Sequence, residues 1–133
     1  MPNQIDYKSI YKQNNFTVCD FSFTIDTLKD TPLYKKSFTI ITAYNPQNRL
    51  LTNEENIKKD QQLHDELKHK KYNFEDALGF LGDHKEKSYC IYEIAFESAI
   101  RLAKKYDQYS IFYHSKEQSG YFKVSDNQIS KIL

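Results

Sequence analysis

From Ser37 to Tyr44 the chain reads Ser-Phe-Thr-Ile-Ile-Thr-Ala-Tyr, and Asn45-Pro46 follows at once. A nearly unbroken β-branched and aromatic run predicts a strand covered on both faces. Proline has no amide hydrogen for the ladder, and asparagine bonds readily to nearby backbone, so the strand should end abruptly in a polar turn. The segment Ile41–Pro46 is therefore the architectural or functional centre from which the rest is read.

Upstream, Tyr7, Ile10 and Tyr11 fall at helical spacing within Gln4–Gln13, and Asn14-Asn15 breaks that helix. From Phe16, the residues Cys19, Phe21, Phe23 and Ile25 alternate with polar ones and predict one half-buried strand; Asp30-Thr31-Pro32 is a turn. Downstream, Thr52 with Glu55 has capping-box spacing, and a long helix should run to about Lys71, with Glu54 and Glu55 at its positive end. Its basic end, Lys68 to Lys71, reads as helix electrostatics rather than a nucleic-acid patch.

Phe74–Leu81 fits a strand or a turn and helix, and a strand ending at Gly82 is favoured; Asp83–Lys87 is read as a charged connector and Tyr89–Phe96 as a strand. Ser98–Tyr106 carries Ala99, Leu102, Ala103 and Tyr106 on one helical face; a strand at Tyr109–His114, a turn at Ser119-Gly120 and a last strand at Tyr121–Val124 complete the chain. This order predicts an α+β fold: a ferredoxin-like split βαββαβ sheet with helices on one face, an added N-terminal helix and strand, and a C-terminal strand. The 133 residues fit one domain, with 1–36 packed as an extension on a core of 37–126.

Eleven Tyr and nine Phe supply the apolar surface for that core. With 19 basic and 18 acidic residues there is no general pull toward nucleic acid or an anionic membrane. No apolar run approaches the ~20 residues of a membrane span, and the polar N-terminal residues are unlike a secretory signal. Cys19 and Cys90 each lie in an apolar run and read as core thiols of a reducing compartment, which places the protein in the cytoplasm.

The chemistry points to the long helix. Leu63 and Leu67 mark its core stripe, and stepping back along that face reaches Asp60 and Asn56. An amide and a carboxylate on a core face need partners, because an unpaired buried polar group costs roughly 1–3 kcal/mol. The turn at Tyr44-Asn45-Pro46 is the nearest source. Two readings stand: Asn45, Asn56 and Asp60 form a network that pins the strand-to-helix crossover, or they line a polar pocket at a strand end. His84, Glu86 and Ser88 form a second polar patch: the favoured reading is a solvated charged loop, and the other makes Glu86 a general base and His84 an acid or base if folding joins them in one cleft.

Several classes are excluded. The three glycines, Gly79, Gly82 and Gly120, make no phosphate loop or dinucleotide fingerprint, so no such cofactor is expected. His64 and His69 have the wrong spacing for one helix face and no CxxC pair exists, so no metal is expected. No serine sits in a nucleophile elbow, and no basic, glycine-containing aromatic strand suggests RNA recognition.

The run Phe38–Pro46 with its Thr-Ala-Tyr-Asn-Pro core, then Leu51-Thr52 and Glu55-Asn56, resembles a family of small bacterial proteins known as domain of unknown function 3293. The resemblance spans Ser37–Tyr113. It implies shared positions at Leu63, at the Glu86-x-Ser88 step and at Gln108, and it departs at Asp60, Lys85 and Tyr109. The family supplies no reaction.

The expected ligand-binding set is thus Thr42, Tyr44, Asn45, Asn56, Asp60, Glu86, Ser88 and Gln108. Amide side chains read hydrogen bonds rather than turn over substrate, which favours a binding module for a small polar, nucleotide-like ligand. The alternatives are a hydrolase or transferase with Glu86 or Asp60 as general base, and a protein-interaction module using a sheet edge or the tyrosines of the C-terminal strands, with a protein partner or a second copy.

Overall fold

A computed structural model of the chain describes residues 7–81, 84–125 and 127–133. Helix α1 (Tyr7–Gln13) opens the described chain; residues 4–6 of the expected helix lie outside it. The expected single strand from Phe16 is instead a hairpin, β1 (Asn15–Val18) and β2 (Phe21–Phe23). The reversal occurs at Cys19-Asp20, where Cys19 takes a left-handed conformation (φ 54°) and Val18 pairs with Phe21. Phe16, Val18 and Phe23 are buried, while Cys19 is exposed rather than a core thiol. Cys90 is a core thiol, and burial pushes it up to about 12. Two short 3-10 turns, Leu28–Asp30 and Pro32–Lys35, bracket Thr31 and bring in the next strand.

Strand β3 (Phe38–Ile41) is buried at every position, as its composition predicts. Phe38 and Ile40 join one core cluster and Ile41 the other. It ends three residues earlier than expected. Thr42 Oγ1 donates to the Lys87 carbonyl (2.6 Å) and accepts from the Tyr44 amide (3.0 Å), so side-chain bonds replace the ladder before Asn45 turns left-handed (φ 47°).

Helix α2 (Asn53–His69) has the full capping box: Thr52 Oγ1 accepts from the Glu55 amide, and Glu55 reaches back to the Thr52 amide. Strands β4 (Asn73–Leu81) and β5 (His84–Tyr92) form a long hairpin whose tip, Gly82-Asp83, is outside the described residues. The stretch read as a charged connector is therefore the first half of β5. Its two faces are both polar, which hides the strand alternation. β5 stops at Tyr92 because Glu93 is left-handed (φ 56°), and Phe96 begins helix α3 (Phe96–Lys105) instead of ending a strand. Strand β6 (Ser110–His114) and β7 (Ser119–Lys123) pair across a turn at Ser115–Gln118, so Ser119-Gly120 is strand rather than turn. A short β8 (Ser130–Lys131), not anticipated, closes the far edge.

The fold is α+β, with one antiparallel sheet in the order β2-β1-β4-β5-β3-β6-β7-β8. Both main helices cover one face, where Leu63 and Leu67 of α2 and Ala99 and Ala103 of α3 pack on Tyr89 and Ile111. The opposite face is covered by α1 and the hairpin. Phe16 on β1 lies 6.0 Å from Tyr121 on β7 by ring centroids, although five strand steps, about 24 Å in a flat sheet, separate those strands. The sheet is curled until its two ends share one aromatic core of Phe16, Phe23, Phe38, Phe112 and Tyr121.

Candidate functional site

Curling leaves a cavity of about 400 Å³ where β3 ends and β5 and β6 begin. Ile10, Tyr11 and Asn14 of the N-terminal segment line it from one side, and Phe16, Phe112 and Tyr121 form much of its wall. Of the expected site residues, the fold brings Thr42, Asn45, Glu86, Ser88 and Gln108 to this one cavity, together with His84 and Ser110. Tyr44, Asn56 and Asp60 do not line it.

Asn45 is the joint between the cavity and α2. Its Oδ1 accepts from the Leu51 amide (3.0 Å), and a backbone amide can only donate, so this contact fixes the orientation of the side chain. Oδ1 also accepts from Asn56 Nδ2 (2.9 Å), while the Asn45 amide donates to Asn56 Oδ1 (2.9 Å). Nδ2 is left facing the cavity, where it donates to Glu86 Oε2 (2.9 Å). Asn56 is thus a support behind the wall: it holds Asn45, which holds Glu86.

Glu86 projects into the cavity because β5 alternates. His84, Glu86 and Ser88 share the face of Cys90 and Tyr92, opposite the helices. His84 Nε2 lies 3.6 Å from Glu86 Oε2, with the imidazole half exposed at the rim. Glu86 Oε1 has no hydrogen-bond partner among the described residues. Ser88 Oγ donates to the Glu86 carbonyl (3.3 Å), and Gly79 on β4 pairs with Glu86; a Cβ there would lie 3.5 Å from the Phe16 ring and 3.8 Å from Ser88 Oγ.

The turn is bolted to the loop after α3. Gln108 Nε2 donates to the Tyr44 carbonyl (3.2 Å), and Gln47 donates through its backbone to Asp107 O (2.9 Å) and through Nε2 to Asp107 Oδ1 (3.0 Å). Asn45, Gln47 and Asp107 all have positive φ, a local cost that these cross-links hold in place.

Asp60 belongs to a different group. It lies on the helical side, where Tyr89 Oη donates to its Oδ2 (2.9 Å) and Lys87 Nζ stands 3.3 Å away. Burial, then the bond to Asp60, pushes the Tyr89 phenol far above its ordinary value, so it remains a donor. The expected network of Asn45, Asn56 and Asp60 is therefore two networks, Asn45–Asn56–Glu86 at the turn after β3 and Asp60–Tyr89–Lys87 on the helical face.

Residues 41–111 match the family described as Protein of unknown function (DUF3293). The chain belongs to this family. No curated protein and no solved structure matches it. The segment that matches the DUF3293 family holds Thr42, Asn45, Asn56, Glu86, Ser88 and Gln108, whereas Tyr11, Phe16 and Tyr121 of the cavity wall fall outside it. Those aromatics were not legible as site residues, since only the curl brings them near Asn45. The signal for His84 was present as the period-2 sequence His84-x-Glu86-x-Ser88.

A larger, more open cavity of about 960 Å³ lies at the other end of the sheet, beside Tyr34, Lys36, Glu93 and His114. There His114 is fully engaged: Nε2 donates to the Tyr34 carbonyl (2.8 Å), and Nδ1 is hydrogen-bonded to Ser119 Oγ (2.7 Å). Among the described residues no group of three or more His, Cys, Asp or Glu is arranged to hold a metal, and no helix is long and apolar enough to cross a membrane.

Proposed function

We propose that this DUF3293 member is a small-molecule binding module of the cytoplasm, and that its site is the cavity beside Asn45. The observation that carries this reading is the distribution of chemistry around the cavity. Aromatic and aliphatic groups supply the walls, and polar groups converge at one end, around an anchored carboxylate with unused acceptor capacity. The β4-β5-β3-β6 core order supports a ferredoxin-like split βαβ reading, in which loops at one strand end build the site. The free thiols Cys19 and Cys90 support a reducing compartment.

A thermal-shift screen with nucleotides, nucleosides and other metabolites tests this reading. A ligand at a hundredfold its Kd should stabilise the native state by about 2.7 kcal/mol and raise Tm by several degrees. Asn45→Ala, which frees Glu86 from its anchor and leaves Asn56 short of a partner, should melt lower and respond less. A wild type that responds to no compound overturns the reading.

One observation favours a second reading, a hydrolase or transferase. His84 and Glu86 share the cleft at 3.6 Å, so Glu86 is the better-placed general base, whereas Asp60 is committed to Tyr89 and Lys87. Following the compounds that raise Tm for product formation separates binding from turnover. The interaction-module reading draws on Leu50 and Ile57, which are 82% and 60% exposed near the turn, and not on the C-terminal tyrosines, since Tyr113 and Tyr121 are core residues.

A further inference from the structure

The charge around the cavity is one-sided. Nineteen residues of the chain are Lys or Arg, yet none of the described residues lining the cavity is either. Lys87, next to Glu86 on β5, points to the helical side and meets Asp60. Lys85 and Lys123 lie over the rings of Phe80 and Tyr109, at 5.9 and 5.3 Å; those rings line the space, and the two lysines do not. Among the described residues, Glu86 is the only lining carboxylate, and His84, half exposed beside it, is the only lining group able to become positive.

Two features of this lining favour the same partner. A carboxylate anchored by Asn45 offers charge-assisted hydrogen bonds to nitrogen donors. Rings of Tyr11, Phe16, Phe80 and Tyr109 line the same space, and aromatic faces attract cations and stack on flat rings. A phosphate or carboxylate in the same space would face Glu86 with no Lys or Arg among the described lining residues to offset the repulsion.

We infer that the ligand of this cavity is a compact aromatic or heteroaromatic molecule bearing an amidine, guanidine or exocyclic amino group, and that phosphorylated molecules are rejected. The inference rests on the cavity being a binding site, and it narrows a nucleotide-like ligand to its base-like part. Glu86 receives the nitrogen head through Oε1, Asn45 holds the carboxylate in place, and the ring lies against the aromatic wall.

Three probes that share a phenyl ring and differ in head group test it: benzamidine, benzoate and phenyl phosphate, titrated into the full chain and followed by amide NMR shifts. Benzamidine should bind saturably and perturb β5 and the Thr42–Asn45 segment, while the two anions should not. Glu86→Gln keeps an acceptor for Asn45 and removes the charge; it should weaken benzamidine at least about tenfold, the value of one charge-assisted hydrogen bond. Gly79→Val, which adds methyl groups between Phe16 and Ser88, should also weaken it, and an unchanged circular dichroism melt would confirm that both variants fold. Binding of an anion at these residues without benzamidine overturns the ligand class and leaves the binding module standing. Equal benzamidine affinity in wild type and Glu86→Gln also overturns the class. If none of the probes shifts any resonance at millimolar concentration, both the class and the binding reading fall.

Discussion

The two faces of β5 carry similar side chains and use them differently. On the helical face, acids are neutralised where they stand. Asp60 receives Tyr89 and Lys87, and one turn and a half further along α2, Glu66 receives Tyr106 Oη (2.8 Å), Lys105 (2.8 Å) and Lys70 (2.7 Å). Partial burial raises the Glu66 carboxyl, but bonds from Lys105, Lys70 and Tyr106 outweigh it and hold the group at about 2. On the cavity face, Glu86 has one anchoring amide and a histidine at the rim, with open space beyond. Acids paired with lysines fasten elements together, even though Asp60 Oδ1 has no partner among the described residues; Glu86, with no lysine paired to it among those residues and open space beyond, is available to something else.

The sharpest way to break this contrast is Asp60→Ala. It strands the Tyr89 hydroxyl in the core and should cost about 3 kcal/mol in urea denaturation, while leaving probe binding in the cavity intact. Loss of binding without loss of stability would reverse the roles assigned to the two faces. A smaller effect is expected from Glu66, and it depends on pH. Its folded-state value lies below the ordinary 4.5, so its contribution is full above about pH 4.5 and is lost as pH falls toward about 2. Melting curves of wild type and Glu66→Gln should therefore differ most near neutrality and converge by about pH 2. A gap that does not narrow in acid would mean that the α2–α3 clamp does not depend on the carboxylate. The smallest effect belongs to Glu86→Gln, which should shift stability by less than about 0.5 kcal/mol, since the glutamine carbonyl still accepts from Asn45. A large loss there would move Glu86 into the structural class of Asp60.

What could be read in advance was local. The Thr52–Glu55 box fixes the start of α2 because it involves four consecutive residues, and the stripe Asn56-Asp60-Leu63-Leu67 is buried as its spacing requires. The polar end of the cavity was legible for the same reason: Thr42 and Asn45 end a strand recognisable by composition. The rest depended on contacts distant in sequence. Nothing near Asp60 announces that its partner is Tyr89 rather than Asn45; that is settled by which face of β5 meets α2. The hairpin at Cys19-Asp20 uses a left-handed non-glycine residue, so no turn signal marked it, and His84–Lys87 looked like a solvated loop because strands with two polar faces lack a hydrophobic period.

The curl that joins Phe16 to Tyr121 also sets an order of events during synthesis. Ile10, Tyr11, Asn14 and Phe16 of the cavity lining leave the ribosome well before Phe112 and Tyr121 do. Helix α2 and the β4-β5 hairpin rest on short-range contacts and can form early, but loop closure between the two ends must wait for β7. Until then the aromatic core around Phe16 lacks Tyr121 and stays open on that side. The cavity is therefore a property of the finished protein alone, and a ligand that fits it recognises only chains that have completed folding.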